Sequence, residues 1–193
     1  RFTGTVHPSL PDELDNRFND VIADPAGRVF CGVLTTLRRA GRLYRLDPDG
    51  TVTPVIEDTG TANGMAFTPD HRTFFFTDTR RYAIDRFDYD PATGALANRR
   101  PFITVPRDGQ GRPDGLTLDA DGCFWSARYD GGCVVRYDPA GREMTRYPLP
   151  VRNITSLTFG GPALRDLYIT TAGGSGVGGP ADLAGSLFCL PDV

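Results

Sequence analysis

Four short stretches of the chain each begin with a polar residue whose amide, carboxylate or hydroxyl oxygen can bind a ligand. They open at Asn19, Asn63, Asp114 and either Thr155 or Ser156, so that the first residues are 44, 51 and 41 positions apart. Because the four stretches resemble one another, we expect their first residues to meet at one point of a repeated structure. Two amides and a carboxylate in a ring offer oxygen ligands, which hard divalent cations such as Ca²⁺ prefer. The alternative is that Asn-Gly and Asp-Gly only begin turns.

The composition excludes several other chemistries. All 21 cationic residues are arginines and the formal net charge is −3. A chain without lysine can form neither a Schiff base nor a P-loop of the Gly-Lys type. With His7 and His71 as its two histidines, it cannot form a three-histidine zinc site within one chain. The near-neutral charge argues against a protein that binds nucleic acid by neutralising phosphates, so we expect no nucleic-acid partner.

The pattern of apolar residues predicts strands and almost no helix. Runs of four to seven apolar or alternating residues are separated by turn sequences rich in the 23 glycines and 16 prolines, which is the punctuation of β-hairpins. Each polar opening residue is followed by further runs of this kind, giving four units of about four strands. Their period lies in the range of about 40–50 residues that β-propellers use.

We therefore predict an all-β fold, a β-propeller with about four blades in one domain. The approximate blades are residues 16–58, 59–108, 109–149 and 150–193, and residues 1–15 form an outer strand and a loop. Each blade is too small to bury its own sheet faces, so the blades must stack around an axis. The run Phe2–Val6 is expected to be a fourth strand that closes the last blade beside Leu187–Leu190.

Several motifs, in the same order along the chain, give the sequence a resemblance to a known family. They are Asn16–Asp20 followed by Asp24–Arg28, then Thr61–Met65, Phe87–Gly94, Pro113–Leu116 and Phe159–Pro162. Together they resemble the motifs of the regucalcin (senescence marker protein)/gluconolactonase/luciferin-regenerating-enzyme family. The resemblance extends over nearly all of the chain from about Asn16 to Thr171.

The resemblance implies a six-bladed type of propeller with one divalent metal ion in its channel, Ca²⁺ or Zn²⁺, with Mn²⁺ or Mg²⁺ as alternatives. It implies hydrolysis of a small sugar lactone. Asn63 and Asp114 match metal ligands of the family, and Asp114 also matches the proposed catalytic base. Arg17 and Asn19 match residues that contact the substrate or a metal-bound water.

Two departures from the family pattern leave alternatives open. The family's third ligand is a glutamate in a Glu-Gly-Pro motif, which is missing here; Glu13, Glu57 and Glu143 lie in a loop or on outer strands. The sequence encodes about four blades where the family has six, so that relative to the family about two N-terminal blades are expected to be absent. The chain is therefore a fragment of a longer enzyme, a natural truncation or a closed four-bladed ring, and the first two are favoured. The alternative function is a truncated, non-catalytic propeller that binds a metal, a small ligand or a partner.

The cellular setting follows from the cysteines and the apolar runs. Cys31, Cys123, Cys133 and Cys189 lie in or beside apolar runs, which predicts four buried thiols in a reducing compartment. No apolar run approaches the ~18 residues of a membrane span, so we expect no membrane partner and a cytoplasmic protein. A small lactone is the expected partner, and the sequence leaves the oligomeric state undetermined.

Overall fold

Strands joined by tight turns make up nearly all of the regular structure. The computed structural model describes residues 10, 13, 15–173 and 183–193, and within these ranges it contains four antiparallel sheets, here called blades 1 to 4. Blade 1 comprises β1 (Phe18–Ala23), β2 (Val29–Val33), β3 (Gly41–Leu46) and β4 (Val52–Thr59). Blade 2 comprises β5 (Ala62–Phe67), β6 (Thr73–Asp78), β7 (Ala83–Asp90) and β8 (Ala95–Thr104). Blade 3 comprises β9 (Arg112–Leu118), β10 (Phe124–Tyr129), β11 (Cys133–Tyr137) and β12 (Glu143–Pro148), and blade 4 comprises β13 (Ile154–Gly160), β14 (Asp166–Thr171) and β15 (Leu187–Leu190).

Each blade is a meander whose strands pair in chain order. The first strands of consecutive blades, β1, β5, β9 and β13, pack against one another and form the inner edge of the arrangement. The prediction of an all-β propeller with four blades is thus confirmed. The strand predicted at Phe2–Val6 lies outside the described residues.

The hydrophobic core is divided among the interfaces between neighbouring blades. One cluster joins blades 1 and 2 around Phe30 and Phe74. A second joins blades 2 and 3 around Phe75 and Phe124, and a third joins blades 3 and 4 around Trp125. These apolar faces hold the blades together because a single four-stranded sheet cannot bury both of its own faces.

The four blades form an open arc within the described part of the chain. No hydrophobic cluster joins blade 4 to blade 1 there, and the outward faces of the two end blades are exposed. Phe18 and Val21 on β1 are 46% and 56% exposed, and Leu187 on β15 is 64% exposed. The described residues therefore do not form the closed four-bladed ring that the sequence left open as an alternative.

The same outward face explains why one expectation about the cysteines is wrong. Cys123 and Cys133 are buried and Cys31 is partly exposed, but Cys189 is exposed; all four are free thiols. Alternation along β15 directs Phe188 toward blade 3 and Cys189 to the opposite face.

The described residues include no helix long and apolar enough to cross a membrane.

A buried ion pair links the first turn of blade 1 to blade 2. Arg28 Nε donates to Asp24 Oδ2 over 2.6 Å and Arg28 Nη1 donates to the main-chain oxygen of Ala92 over 3.2 Å. The hydroxyl of Tyr89 also donates to Asp24. Burial opposes ionisation of Asp24, but the hydrogen bonds from Tyr89 and Arg28 outweigh it and lower the pKa of this carboxyl. The pair therefore fastens two blades at the end of the arc.

Replacing Arg28 with alanine should lower the free energy of unfolding by about 3 kcal/mol, because the carboxylate of Asp24 would stay buried without its cation. A matched control exists in Arg142, which follows an identical Asp-Pro-Ala-Gly sequence but has a side chain that is 81% exposed. Arg142→Ala should leave stability nearly unchanged. Urea unfolding of both variants measures the difference, and equal losses would contradict the structural role given to Arg28.

Candidate active site

The polar residues that open the inner strands line one cavity of about 580 Å³ at the mouth of the arc. Asn19 comes from β1, Asn63 from β5, Asp114 from β9 and Thr155 from β13, so every blade contributes to it. Arg17, which precedes β1, is exposed and lines the same cavity. All the residues that the sequence predicted for the site are thus brought together.

A bulge at the same place in each inner strand turns additional side chains toward this cavity. The pairing register shifts between Phe18 and Val21 in β1, between Asn63 and Met65 in β5, and between Ile154 and Ser156 in β13. In blade 3 the shift falls on Asp114 and Gly115 of β9, between the pairings of Pro113 with Arg128 and of Leu116 with Ser126. Bulges re-aim side chains and commonly lie beside active sites. As a result, neighbours in sequence such as Asn19 and Asp20 line the cavity together.

The glycines that follow Asn63 and Asp114 allow the inner strands to approach closely. A Cβ atom at Gly64 would lie 2.3 Å from the main-chain nitrogen of Leu116, and one at Gly115 would lie 2.6 Å from the Cα atom of Ser156. Both glycines lie inside strands rather than in turns. The Asn-Gly and Asp-Gly pairs therefore do not begin turns here; they bring adjacent blades into backbone contact.

A chain of hydrogen bonds crosses three blades and fixes the orientation of the amides. Arg17 Nη1 donates to Asn19 Oδ1 over 3.2 Å, and Asn19 Nδ2 donates to Asn63 Oδ1 over 2.7 Å. Asn63 Nδ2 then donates to Thr79 Oγ1 over 2.8 Å, and this hydroxyl donates to the main-chain oxygen of Pro113 over 2.7 Å. Thr79 is buried, and sequence reasoning did not find it because it lies after β6, outside the repeated first strand.

Two carboxyl groups, Asp20 and Asp114, line the same cavity. Burial, with a smaller contribution from the negative charge of Asp20, raises the pKa of Asp114 from 3.8 to about 7, and Arg112 acts in the opposite direction. Burial also raises the pKa of Asp20, although the main-chain N–H of Val21 donates to it. No hydrogen bond reaches the carboxyl of Asp114 from the described residues. The cavity thus holds an acid that titrates near neutrality.

Two further arginines line the cavity that sequence reasoning did not find. Arg112 opens β9 and its guanidinium lies 5.2 Å from the ring centre of Tyr129, its cross-strand partner; Arg80 is exposed at the rim. A signal for Arg112 was present in the sequence. It stands two residues before Asp114, as Arg17 stands two residues before Asn19.

Comparison with known proteins identifies the family. The family model described as the SMP-30/gluconolactonase/LRE-like region matches residues 2–173. The chain belongs to this family. The resemblance expected from the motifs is therefore confirmed.

The relatives of this SMP-30/gluconolactonase-like chain are longer than the chain itself. Pentonolactonase XacC of Haloferax volcanii is 51% identical over 181 residues, a match that covers 90% of this chain and 62% of that protein. The structure of a luciferin-regenerating enzyme superposes with a TM-score of 0.86 at 29% identity, covering 95% of this chain and 64% of that one. Regucalcin from Agrobacterium tumefaciens, described as a calcium-binding protein, has a TM-score of 0.75 at 33% identity and covers 81% and 54%. The chain spans less than two thirds of the length of these relatives.

The donor set of the cavity suits a hard divalent cation. The amide oxygen of Asn63 accepts one hydrogen bond from Asn19 and retains a second lone pair. Burial opposes ionisation of both Asp20 and Asp114, and a cation between them would relieve that cost. Amide and carboxylate oxygens are ligands that Ca²⁺, Mg²⁺ and Mn²⁺ accept. The oxygen atoms of these residues could therefore supply part of the ligand set of such a metal ion.

The set is incomplete within the described ranges. No group of three His, Cys, Asp or Glu side chains there could hold a metal ion, and none of the glutamates lines the cavity. Glu13 instead accepts a hydrogen bond of 2.9 Å from the hydroxyl of Tyr44, and Glu143 pairs with Arg146. The sequence lacks the family's glutamate motif, and in the structure no glutamate side chain reaches the cavity in its place.

Thr79 offers a test of the hydrogen-bond chain. Thr79→Val removes the buried hydrogen bonds that this hydroxyl makes with the amide nitrogen of Asn63 and the main-chain oxygen of Pro113, which should lower the free energy of unfolding by about 1–3 kcal/mol. Thr79→Ser keeps the hydroxyl and removes only a methyl group, so its loss should stay near or below about 1 kcal/mol. Chemical denaturation compares the two, and a larger loss in the serine variant would rule out the proposed role of the hydroxyl.

The raised pKa of Asp114 predicts how stability depends on pH in a sample stripped of metal. Because the folded state binds the proton more tightly than the unfolded state, the wild type should lose stability as the pH rises from about 4 to about 7. Asp114→Asn removes this loss, so it should be more stable than the wild type by about 4 kcal/mol at pH 8 and nearly equal to it near pH 4.

Thermal unfolding across this pH range measures the effect. Asp121→Asn is the matched control, since its side chain is 84% exposed. If the two variants shift stability with the same pH dependence, the burial of Asp114 does not control its titration.

Proposed function

We propose that this chain contributes most of the active site of a lactonase that hydrolyses a small sugar lactone with the help of one divalent metal ion. The observation that carries this proposal is the convergence of Asn19, Asn63 and Asp114 from three blades on one cavity, with Asp114 titrating near neutrality. The similarity to a protein named pentonolactonase supports it. Asn63 and Asp114 would hold the metal, with Asp20 nearby, and the oxygen donors favour Ca²⁺, with Zn²⁺, Mn²⁺ or Mg²⁺ as alternatives.

The residues of the cavity suit the steps of lactone hydrolysis. Water adds to the ring carbonyl, the bond from the carbonyl carbon to the ring oxygen breaks, and the ring oxygen takes a proton. Asp114 as a carboxylate can accept the proton of the attacking water and can return it to the ring oxygen. A bound divalent metal supplies a Lewis acid that polarises the carbonyl and makes water more acidic.

Arg17 and Asn19 would orient the substrate in this scheme. The guanidinium of Arg17 is exposed and lines the cavity; among the described residues it donates only to Asn19 and Phe18, through one nitrogen, so most of its N–H groups make no bond there. It can therefore bind the hydroxyl or carbonyl oxygens of a sugar lactone. The carbonyl oxygen of Asn19 can accept from a hydroxyl in the same way.

The setting that we infer for this activity is the cytoplasm, with a small lactone as the partner and no nucleic acid. The four free thiols support a reducing compartment, and the net charge of −3 gives no reason to expect phosphate binding of the nucleic-acid kind.

A non-catalytic propeller that binds a metal or a small ligand is the second candidate. It is favoured by the ligand set described above, in which no glutamate lines the cavity. Metal binding without turnover would distinguish this candidate from the lactonase.

The deciding experiment titrates the chain with Ca²⁺, Zn²⁺ and Mn²⁺ by calorimetry and follows hydrolysis of a pentonolactone and of gluconolactone by pH-stat. The lactonase proposal expects metal-dependent turnover that falls at least about 100-fold in Asp114→Ala, because both a ligand and the proton acceptor are lost. Asp121→Ala, on the exposed surface, should retain wild-type turnover.

Activity in Asp114→Ala equal to that of the wild type would refute the role of this residue. A folded wild type with tight metal binding and no turnover would favour the non-catalytic propeller.

A further inference from the structure

The arginines that line the cavity differ from most arginines of the chain. Ion pairs with carboxylates engage arginines throughout the outer strands and turns, for example Arg99 with Asp85 and Arg136 with Asp119. Arg17, Arg80 and Arg112 line the cavity, and none of them has an ion-pair partner among the described residues. Unpaired guanidinium groups gathered at one concave place are available for an anion that comes from solution.

Arg112 is held in position without its charge being neutralised. It pairs with Tyr129 across β9 and β10, and its guanidinium stacks at 5.2 Å from the centre of that ring. The contact with the ring holds the guanidinium in place but leaves its N–H groups unused, because the Arg112 side chain donates no hydrogen bond to a described residue. A planar fork held in this way is suited to binding a carboxylate or phosphate with two hydrogen bonds.

Arg80 lies at the rim of the same cavity with its charge exposed. Its neighbour Arg81 contacts Asp58 at 2.8 Å and Asp78 at 3.5 Å, whereas the side chain of Arg80 contacts no described carboxylate. The main-chain oxygen of Arg80 accepts a hydrogen bond of 3.1 Å from Arg107 Nη2, which steadies this segment. Of these two adjacent arginines, Arg81 forms structural ion pairs and Arg80 lines the cavity.

The charges of the cavity do not cancel. Among the described residues, three arginines face it together with two aspartates, Asp20 and Asp114, so this part of the lining carries a net charge of +1 even when both carboxyls are ionised. A neutral lactone has no group that would use this excess, but the carboxylate formed when the ring opens would, as would an acidic substituent on the substrate.

We propose that Arg112, together with Arg80 of the same cavity, forms an anion-binding subsite for the carboxylate or phosphate group of a sugar acid. These two arginines belong to blades 3 and 2, whereas Arg17 and Asn19 belong to blade 1. The sugar part of this ligand rests on the proposed lactonase function, but the anion binding itself requires no turnover. The anion has two sources, an acidic group carried by the substrate or the carboxylate of the hydrolysis product, and they share the same chemistry.

Binding is measured by calorimetry on the full chain after passage over a chelating resin, so that neither metal nor turnover enters the result. The probes are gluconate, 6-phosphogluconate, inorganic phosphate and the neutral polyol xylitol. The wild type should bind the anionic sugar acids more tightly than xylitol. Arg112→Gln should weaken their binding about tenfold, which is the loss of one charge-assisted hydrogen-bonded contact, and Arg80→Gln should weaken it by a smaller factor.

Arg72→Gln is the matched control, since this exposed arginine lies in the turn between β5 and β6, outside the cavity lining, and loses the same charge. Binding of the anions in Arg112→Gln and Arg80→Gln equal to that in Arg72→Gln would overturn the subsite, as would a wild type that binds none of the anions. Because a chain without lactonase activity can still bind the anions, failure of the proposed function would not be mistaken for failure of the subsite.

Kinetics in the presence of metal separates the two sources. If the anion is the product carboxylate, Arg112→Gln should raise the inhibition constant of gluconate about tenfold and leave the KM of gluconolactone unchanged. If the anion belongs to the substrate, the variant should instead lower kcat/KM for 6-phosphogluconolactone and spare gluconolactone. Either result supports the subsite, whereas an equal loss for every substrate and inhibitor would refute it.

Discussion

The close approach of the inner strands is the constraint on which the rest of this structure depends. Gly64 and Gly115 place the backbone of one blade against the backbone of the next, at distances that a Cβ atom would prevent. Because the strands meet so closely, the residues just before these glycines, Asn63 and Asp114, are carried to a common cavity. A side chain at either glycine would push two blades apart and would also separate the groups that the site needs together.

The site combines rigid and adjustable parts for the same reason. The amides of Asn19 and Asn63 are fixed by hydrogen bonds that run from blade 1 to the main chain of blade 3, so their orientation is set before any ligand arrives. The two carboxyls and the arginines, in contrast, have few internal partners. The internal hydrogen bonds thus fix the neutral amides, whereas the charged side chains remain available to interact with a ligand.

The repeat made the strands, the four blades and the convergence of Asn19, Asn63 and Asp114 predictable from sequence, because equivalent positions in a propeller must meet. It could not predict contacts between positions that are not equivalent. Thr79 enters the site only because blade 2 folds beside blade 3. Asp20 belongs to the motif Asn16–Asp20, but the bulge that turns its side chain toward the cavity together with that of Asn19 does not follow from the repeat. The position of Arg112, two residues before Asp114, could have been noticed because Arg17 stands in the same place before Asn19. Its contact with Tyr129 could not, because it depends on the pairing of β9 with β10.

Within the described part of the chain, blades 2 and 3 have a packed neighbour on both faces, whereas blades 1 and 4 have one on a single face. In a linear stack of units that contact only their neighbours, the terminal units open first. Blade 1 supplies Arg17 and Asn19 to the cavity, while blade 3 supplies Asp114. A molecule that contacts both blades therefore binds only when blade 1 is packed in place. Ligand binding and the local stability of blade 1 are thus thermodynamically linked, and each can be measured through the other.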